Sequence, residues 1–287
     1  MSVFVQQSGS ECEFSNSDSW VILSPIEQSI KRKIEAVGTP LKDWDIQINY
    51  GIKTGYNDAF IINTEKRDEI LSNCQSEDER TRTAELIRPI LRGRDIKRYG
   101  YNWANLWLIY IPWHFPYQFD ESIKGASEKA EEAFKEQYSA VYNHMLQYKE
   151  PLSKRNKAET GIRYEWYAMQ RWGAKYWEDF SKPKLFYADI TQQLNFCFCR
   201  EIMFCNNTTY FIASKNENVL MHIQTYLNSP LIDWYYRTLS VQLGEKAVRM
   251  FSIYVLEIPI PPISQDNIYK AYKLSASEIE YIERKSV

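Results

Sequence analysis

Little in this chain suits a secreted, metal-holding or membrane protein. Five cysteines among 287 residues are odd in number and too sparse for a disulfide framework. Cys197, Cys199 and Cys205 lie close together, but the three histidines (His114, His144, His222) are scattered, so no second cluster completes a tetrahedral zinc site. Reduced thiols are the expectation. No run approaches the roughly 18 apolar residues of a membrane span. The polar segment Met1–Trp20 lacks the basic-then-apolar build of a signal peptide. A cytoplasmic protein with no membrane partner is therefore expected. Charge of one sign is also lacking: the formal net charge is −2, so the whole chain is not a polycation. No internal repeat and no low-complexity tract is present.

Catalytic motifs are missing as well. There is no phosphate-cradling GxxxxGK[ST] and no HExxH. Methylation of base amino groups needs a Gly-rich turn after a strand and an (Asn/Asp)-Pro-Pro-(Tyr/Phe) tetrapeptide. Here Pro261-Pro262 stands between Ile260 and Ile263. Asp179 precedes Lys182 and Lys184 at a spacing faintly like that of nucleases, without a second carboxylate. Three dispersed histidines leave no nucleophile–base pair. No catalytic residue, metal site or cofactor is expected in this chain.

What is present in abundance is aromatic: 9 Trp, 21 Tyr and 13 Phe, more than filling a core requires, leave stacking surface to spare. Charge is segregated along the chain. Residues 65–85 hold seven acids against four bases, whereas residues 88–98 hold five bases and one acid, and residues 154–175 six bases and two acids. Such segregation lets a near-neutral protein present a basic face.

Ser24-Pro25-Ile26-Glu27 reads as a capping box opening a helix that Gly38 and Pro40 stop. Trp44–Tyr50 alternates as a half-buried strand, with Trp44, Ile46, Ile48 and Tyr50 on one side, and Ala59–Ile62 as the strand returning after a loop. Thr81–Leu91 begins as helix, with its end left open by Pro89. Leu106–Ile111 reads as a central strand, and Glu121–Lys149 as one long helix with Pro151 just beyond. Strands are expected over Leu185–Ile190, Phe196–Cys199 and Thr209–Ala213. Helices are expected over Val219–Leu227, from Ser229-Pro230 to Tyr236, and over Glu278–Lys285. The stretch Ile258–Pro262 is extended. Helices and strands intersperse without a βαβ rhythm, so the expected class is α+β with a mixed, mainly antiparallel sheet.

The remaining signals concern binding. The run Arg88, Arg92, Arg94, Lys97 and Arg98 reads either as a solvated turn or as a loop gripping phosphate or base edges. The tip Lys53-Thr54-Gly55-Tyr56-Asn57 reads either as a plain hairpin end or as a contact loop with close backbone approach. The segment Arg163-Tyr164-Glu165-Trp166-Tyr167, with Gln170-Arg171-Trp172, interleaves bases and aromatics, and alternation equally allows Tyr164 and Trp166 to be core. Gln242, Lys246 and Arg249 around Gly244 form a fourth, weaker candidate. Together they make nucleic acid the best ligand reading. The candidate DNA-binding residues are Lys53, Thr54, Tyr56, Asn57, Arg92, Arg94, Lys97, Arg98, Arg163, Arg171, Lys246 and Arg249.

Taken in order, these segments resemble the TaqI-like C-terminal specificity domain of type IIG restriction enzymes and related adenine-specific DNA methyltransferases. The matching pieces are Tyr50-Gly51-Ile52-Lys53-Thr54-Gly55-Tyr56-Asn57-Asp58-Ala59-Phe60 and Ile87-Arg88-Pro89-Ile90-Leu91-Arg92-Gly93-Arg94-Asp95-Ile96-Lys97-Arg98-Tyr99. Then follow Trp166-Tyr167 with Gln170-Arg171, Lys182-Pro183-Lys184-Leu185, and Asn207-Thr208-Thr209-Tyr210. Leu227-Asn228-Ser229-Pro230-Leu231 and Ile258-Pro259-Ile260-Pro261 close the series. The resemblance implies a module that reads double-stranded DNA for a restriction–modification enzyme. Its partner would be a methyltransferase catalytic domain or subunit absent from this chain. S-adenosylmethionine, with magnesium as an open alternative beside it, would belong to that parent enzyme. A second reading is a protein-interaction module that docks a methyltransferase subunit without reading DNA. The expected layout is a loosely packed segment 1–20, a target-recognition domain 21–262 with a candidate seam near 151–163, and a helical extension 263–287.

Overall fold

The computed structural model describes residues 23–240, 242–244, 246–263 and 267–285. The segment 1–20, expected to be loosely packed, lies outside them. Among the described residues, those of Met1–Gln47, Asp189–Phe196 and Ser214–Val287 form one compact unit, and those of Ile48–Ala188 and Cys197–Ala213 form another.

In the first unit the capping box closes as expected. The Ser24 N–H and hydroxyl both donate to Glu27 Oε2 (2.8 and 2.9 Å), and Pro25 takes the first helical position. The helix Pro25–Val37 buries Ile30 and Ile34. Beyond it Thr39–Pro40 pairs antiparallel with Pro259–Ile260. Helices Glu217–Leu227 and Pro230–Leu239 follow one another, the second opened by Ser229, whose Oγ accepts from the Ile232 N–H. The helix Ala276–Lys285 contributes Glu278, a buried carboxylate that accepts from Lys33 Nζ (2.6 Å) and Ser29 Oγ (2.7 Å). Burial alone would raise its pKa; hydrogen bonds from Lys33, Ser275 and Ser29 outweigh that and bring it down to about 2. A small antiparallel sheet joins Gln242–Leu243, Ala247–Arg249 and Ile190–Thr191.

The second unit is built on two four-stranded sheets. One has the order Phe196–Cys199, Lys184–Ala188, Thr209–Ala213, Gln47–Tyr50; the other Phe204–Cys205, Ile87–Leu91, Leu106–Ile109, Ile61–Asn63. Pairing is mainly antiparallel, as in Phe211 opposite Phe186 and Ile62 opposite Trp107. The edge Phe204–Cys205 is parallel to Ile90 and Leu91. Helices Thr64–Ser72, Glu77–Leu86, Glu128–Gln137 and Ser139–Leu146 are the longer ones of this α+β unit. Its core is strongly aromatic: Phe180 stacks on Phe204 at 4.4 Å, and Phe134 lies 4.6 Å from Tyr167.

Several sequence expectations need correction. Trp44–Tyr50 is not one alternating strand. Only Gln47–Tyr50 is extended, and within it Asn49 is buried while Tyr50 is exposed. The reason is polar: the Asn49 amide donates to Asp179 Oδ2 (3.0 Å), and Tyr50 rests edge-on against Tyr210. Ala59–Ile62 is not a returning strand. Asn57–Phe60 is a single helical turn, and the strand Ile61–Asn63 pairs with Leu106–Ile109 in the other sheet. The long helix Glu121–Lys149 begins only at Glu128, capped by Ser127, and is broken at Tyr138, whose φ and ψ of −136° and 50° leave the helical region. Pro151 does not lie beyond a helix; it sits in the first turn of a short one, Lys149–Lys154, where no N–H is needed from it.

Candidate functional site

The two loops singled out in the sequence both belong to the second unit. Gly51 opens the first. Its N–H donates to the Thr209 carbonyl (2.9 Å), and a Cβ added there would stand 1.9 Å from the Asn206 carbonyl oxygen. Only glycine fits such an approach. Ile52 then donates to Cys205, and Lys53 exchanges two backbone bonds with Arg171 (3.0 and 2.9 Å). The Lys53 side chain is exposed and makes no bond among the described residues. Thr54 is buried, its hydroxyl donating to Asn57 Oδ1 (2.7 Å). Tyr56 is half-buried, 6.1 Å from Tyr148, and Asn57 is exposed.

A residue that sequence reading passed over, Arg155, holds this loop in place. Its guanidinium donates to the carbonyls of Thr54, Trp166 (2.8 Å) and Ala168, and lies over the rings of Phe60 (5.5 Å) and Tyr164 (5.8 Å). Burial without an opposing carboxylate pushes its pKa down to about 10. In sequence Arg155 is one base within a basic stretch and looks like its solvated neighbours.

The second loop is braced from within. Arg92 forks onto Asp95, with Nε to Oδ2 at 3.0 Å and Nη2 to Oδ1 at 2.8 Å, while the Arg92 N–H also donates to Oδ2 (2.8 Å). That bond set raises the pKa of Arg92. With Arg92 engaged, the exposed cations are Arg94, Lys97 and Arg98. Lys97 Nζ donates to the Arg94 carbonyl (3.0 Å), and Arg98 lies 5.6 Å over the ring of Tyr99, which is exposed at the tip with φ of 64°.

The turn Asn206–Thr208 fastens the two loops together. The Asn206 N–H donates to Leu91 (3.0 Å), and Ile52 bridges Asn206. The Thr208 hydroxyl donates to Asn206 Oδ1 (2.6 Å) and accepts from the Gly93 N–H (2.9 Å). Close by in the chain fold, Arg171 and Arg163 both reach Glu159 (3.0 and 3.1 Å) and lie over Trp113 at 6.0 and 5.5 Å. The hydrogen bond from Arg171 foremost keeps the Glu159 carboxyl below its usual range. Tyr164 and Trp166 are core residues, Tyr164 stacking on Trp113 at 4.8 Å.

Lys246 and Arg249 belong to the other unit. Lys246 is exposed beside Gly244, whose φ is 69°. Arg249 lies 5.2 Å over Phe251 with Nη2 3.7 Å from Asp189. Among the described residues, no helix is long and apolar enough to cross a membrane, and no group of three His, Cys, Asp or Glu side chains could hold a metal ion.

No curated protein sequence matches the chain. Among solved structures, the type IIG restriction endonuclease BpuSI is similar in fold, with a TM-score of 0.52 at 12% identity, over 90% of this chain and 27% of that one. The chain thus spans about a quarter of that enzyme's length. The Type IIL restriction-modification enzyme MmeI, in complex with DNA, matches with a TM-score of 0.44 at 14% identity, over 86% of this chain and 29% of that one. A family model for the TaqI-like C-terminal specificity domain matches residues 88–260, starting after the Gly51–Asn57 loop and taking in the second loop and the turn that binds the two. The match covers more than half of the chain, which belongs to that family.

Proposed function

We propose that this chain reads double-stranded DNA for a restriction–modification enzyme and positions a catalytic domain that it does not itself contain. One observation carries the reading: in a member of a specificity-domain family, two loops with exposed cations, Lys53 on one and Arg94, Lys97 and Arg98 on the other, are fastened through a single turn. Cations held on a rigid scaffold can meet phosphates at fixed spacing, and an arginine fork can meet a guanine edge. Asn57 and Tyr56 supply an amide and a ring at the same loop. Arg163 and Arg171 extend that surface within the second unit, and Lys246 and Arg249, on the first unit, are proposed separately as phosphate contacts. Thr54 and Arg92 act from inside, by shaping the loops that present the others.

The catalytic partner in this reading is an adenine-specific methyltransferase domain or subunit, which would flip its target base out of the duplex. S-adenosylmethionine, and any magnesium, are assigned to that partner, because this chain carries neither the Gly-rich turn nor the tetrapeptide that such chemistry needs. The test is selection from a randomised duplex pool at two salt concentrations, followed by sequencing. Enrichment of one short motif, with affinity falling steeply as salt rises, is the expected result. Absence of any binding at low salt would refute DNA reading by this chain.

A further inference from the structure

Arg88 opens the basic run, yet it is not part of the loop. It lies on the strand Ile87–Leu91, half-buried, in the wall of a cleft of about 200 Å³ in the second unit. Its side chain makes no hydrogen bond or ion pair among the described residues. Arg82 lines the same cleft. Its Nη2 donates to the Gln137 carbonyl (3.1 Å) and its guanidinium lies 5.7 Å over the ring of Tyr138, but its Nε is buried with no hydrogen-bond partner. Gln118 Oε1, also in the lining, is buried and equally unpartnered. The Gln118 oxygen is an acceptor and says nothing for an anion, but a buried donor without a partner, the Arg82 Nε–H, is uncommon and calls for an explanation.

The rest of the lining is aromatic. Phe119 and Trp177 form a tilted pair at 5.5 Å, with Phe119 62% exposed, and Tyr138 supplies a further ring. Two arginines against one carboxylate, Glu85, leave a single positive charge to be matched. The volume is below the roughly 300 Å³ at which pockets begin to hold drug-sized ligands, so one ring with a short tail fits and a nucleotide does not.

We propose that this cleft binds a small single-ring aromatic carboxylate, its ring among Phe119, Trp177 and Tyr138 and its carboxylate on Arg88 and the Arg82 Nε–H. Aromatic faces supply the area, and an arginine–carboxylate bond in a half-buried setting supplies the selectivity for an anion. Glu85 disfavours a doubly charged phosphate at the same place. The site is separate from the DNA reading and does not depend on it.

Titration of the full chain with 3-phenylpropionate, followed by calorimetry, tests this. One saturable site is expected, with the neutral amide 3-phenylpropanamide about tenfold weaker. Arg88→Gln should weaken the acid about tenfold, while Phe119→Ala, at an exposed position that folding tolerates, should weaken it about fivefold and leave DNA binding unchanged. Failure of the folded chain to bind 3-phenylpropionate would overturn the proposal. Equal affinity for acid and amide would do the same, as would binding that both variants leave unchanged.

Discussion

In the loop Gly51–Asn57 the bracing arginine comes from outside: Arg155, a hundred residues along the chain, ties the Thr54 carbonyl of the loop to those of Trp166 and Ala168 and meets no carboxylate among the described residues. In the loop Arg92–Tyr99 the brace is local, an ion pair between Arg92 and Asp95 three residues apart. The first arrangement costs a desolvated cation and so depends on every carbonyl being in place. The second is self-contained and half-shielded. Both teach the same point about basic segments: an arginine that shapes a loop is unavailable to a ligand, and the cations exposed to solvent are its neighbours.

This contrast yields graded expectations. The largest effect belongs to Gly51→Ala, whose Cβ would meet the Asn206 carbonyl at 1.9 Å, against 2.6 Å from the Thr208 carbonyl for Gly93→Ala. Chemical denaturation should show a loss of about 3 kcal/mol or more at Gly51 and a smaller one at Gly93. A reversed order would mean that the second loop is the more tightly seated. Next comes Arg155→Met, which strands three carbonyls and should cost about 2–3 kcal/mol. Asp95→Asn should cost about 1–2 kcal/mol, since the Arg92 fork keeps part of its hydrogen bonding. Equal costs in thermal melts would erase the distinction between an external and a local brace.

The smallest effects on stability are expected at Lys53→Ala and Arg94→Ala, within about 0.5 kcal/mol of the parent. Each should nevertheless reduce DNA affinity, and the slope of log affinity against log salt should fall by about one per cation removed. Fluorescence titrations over a salt series measure this directly. Unchanged slopes in both variants would place the DNA contact elsewhere. Arg92→Ala sharpens the comparison, because it should lower melting temperature and affinity together.

Local signals were legible where the cause was local. The Ser24–Glu27 capping box and the Ser229-Pro230 start hold because each is satisfied within one turn. The glycines of the two loops were visible for the same reason, as was the basic character of the second loop. The hairpin reading of residues 44–62 failed because Gln47–Tyr50 and Ile61–Asn63 find partners in different sheets, a pairing that no short window contains. The break at Tyr138 sits inside an otherwise helix-forming stretch, where that ring packs 4.8 Å from Phe115. Arg155 and Arg92 were hidden by chemistry rather than distance: composition cannot tell a cation that donates inward from one that faces solvent. The Glu159 partner of Arg163 and Arg171 carried a usable signal, an acid four residues before one of them on a helical spacing.

The order in which the chain visits its two units has a consequence for recombination. The path runs from the first unit to the second at residue 48, back at 189, across again at 197 and back once more at 214. Neither unit is therefore a contiguous cassette. A crossover between homologous genes placed inside 48–213 would split partners that fold together, whereas exchange of that whole span would transplant both loops, their braces and the turn between them as one inheritable block, apart from residues 189–196. New specificities in such a protein would be expected to arise by side-chain change on a fixed frame, or by replacement of the frame entire.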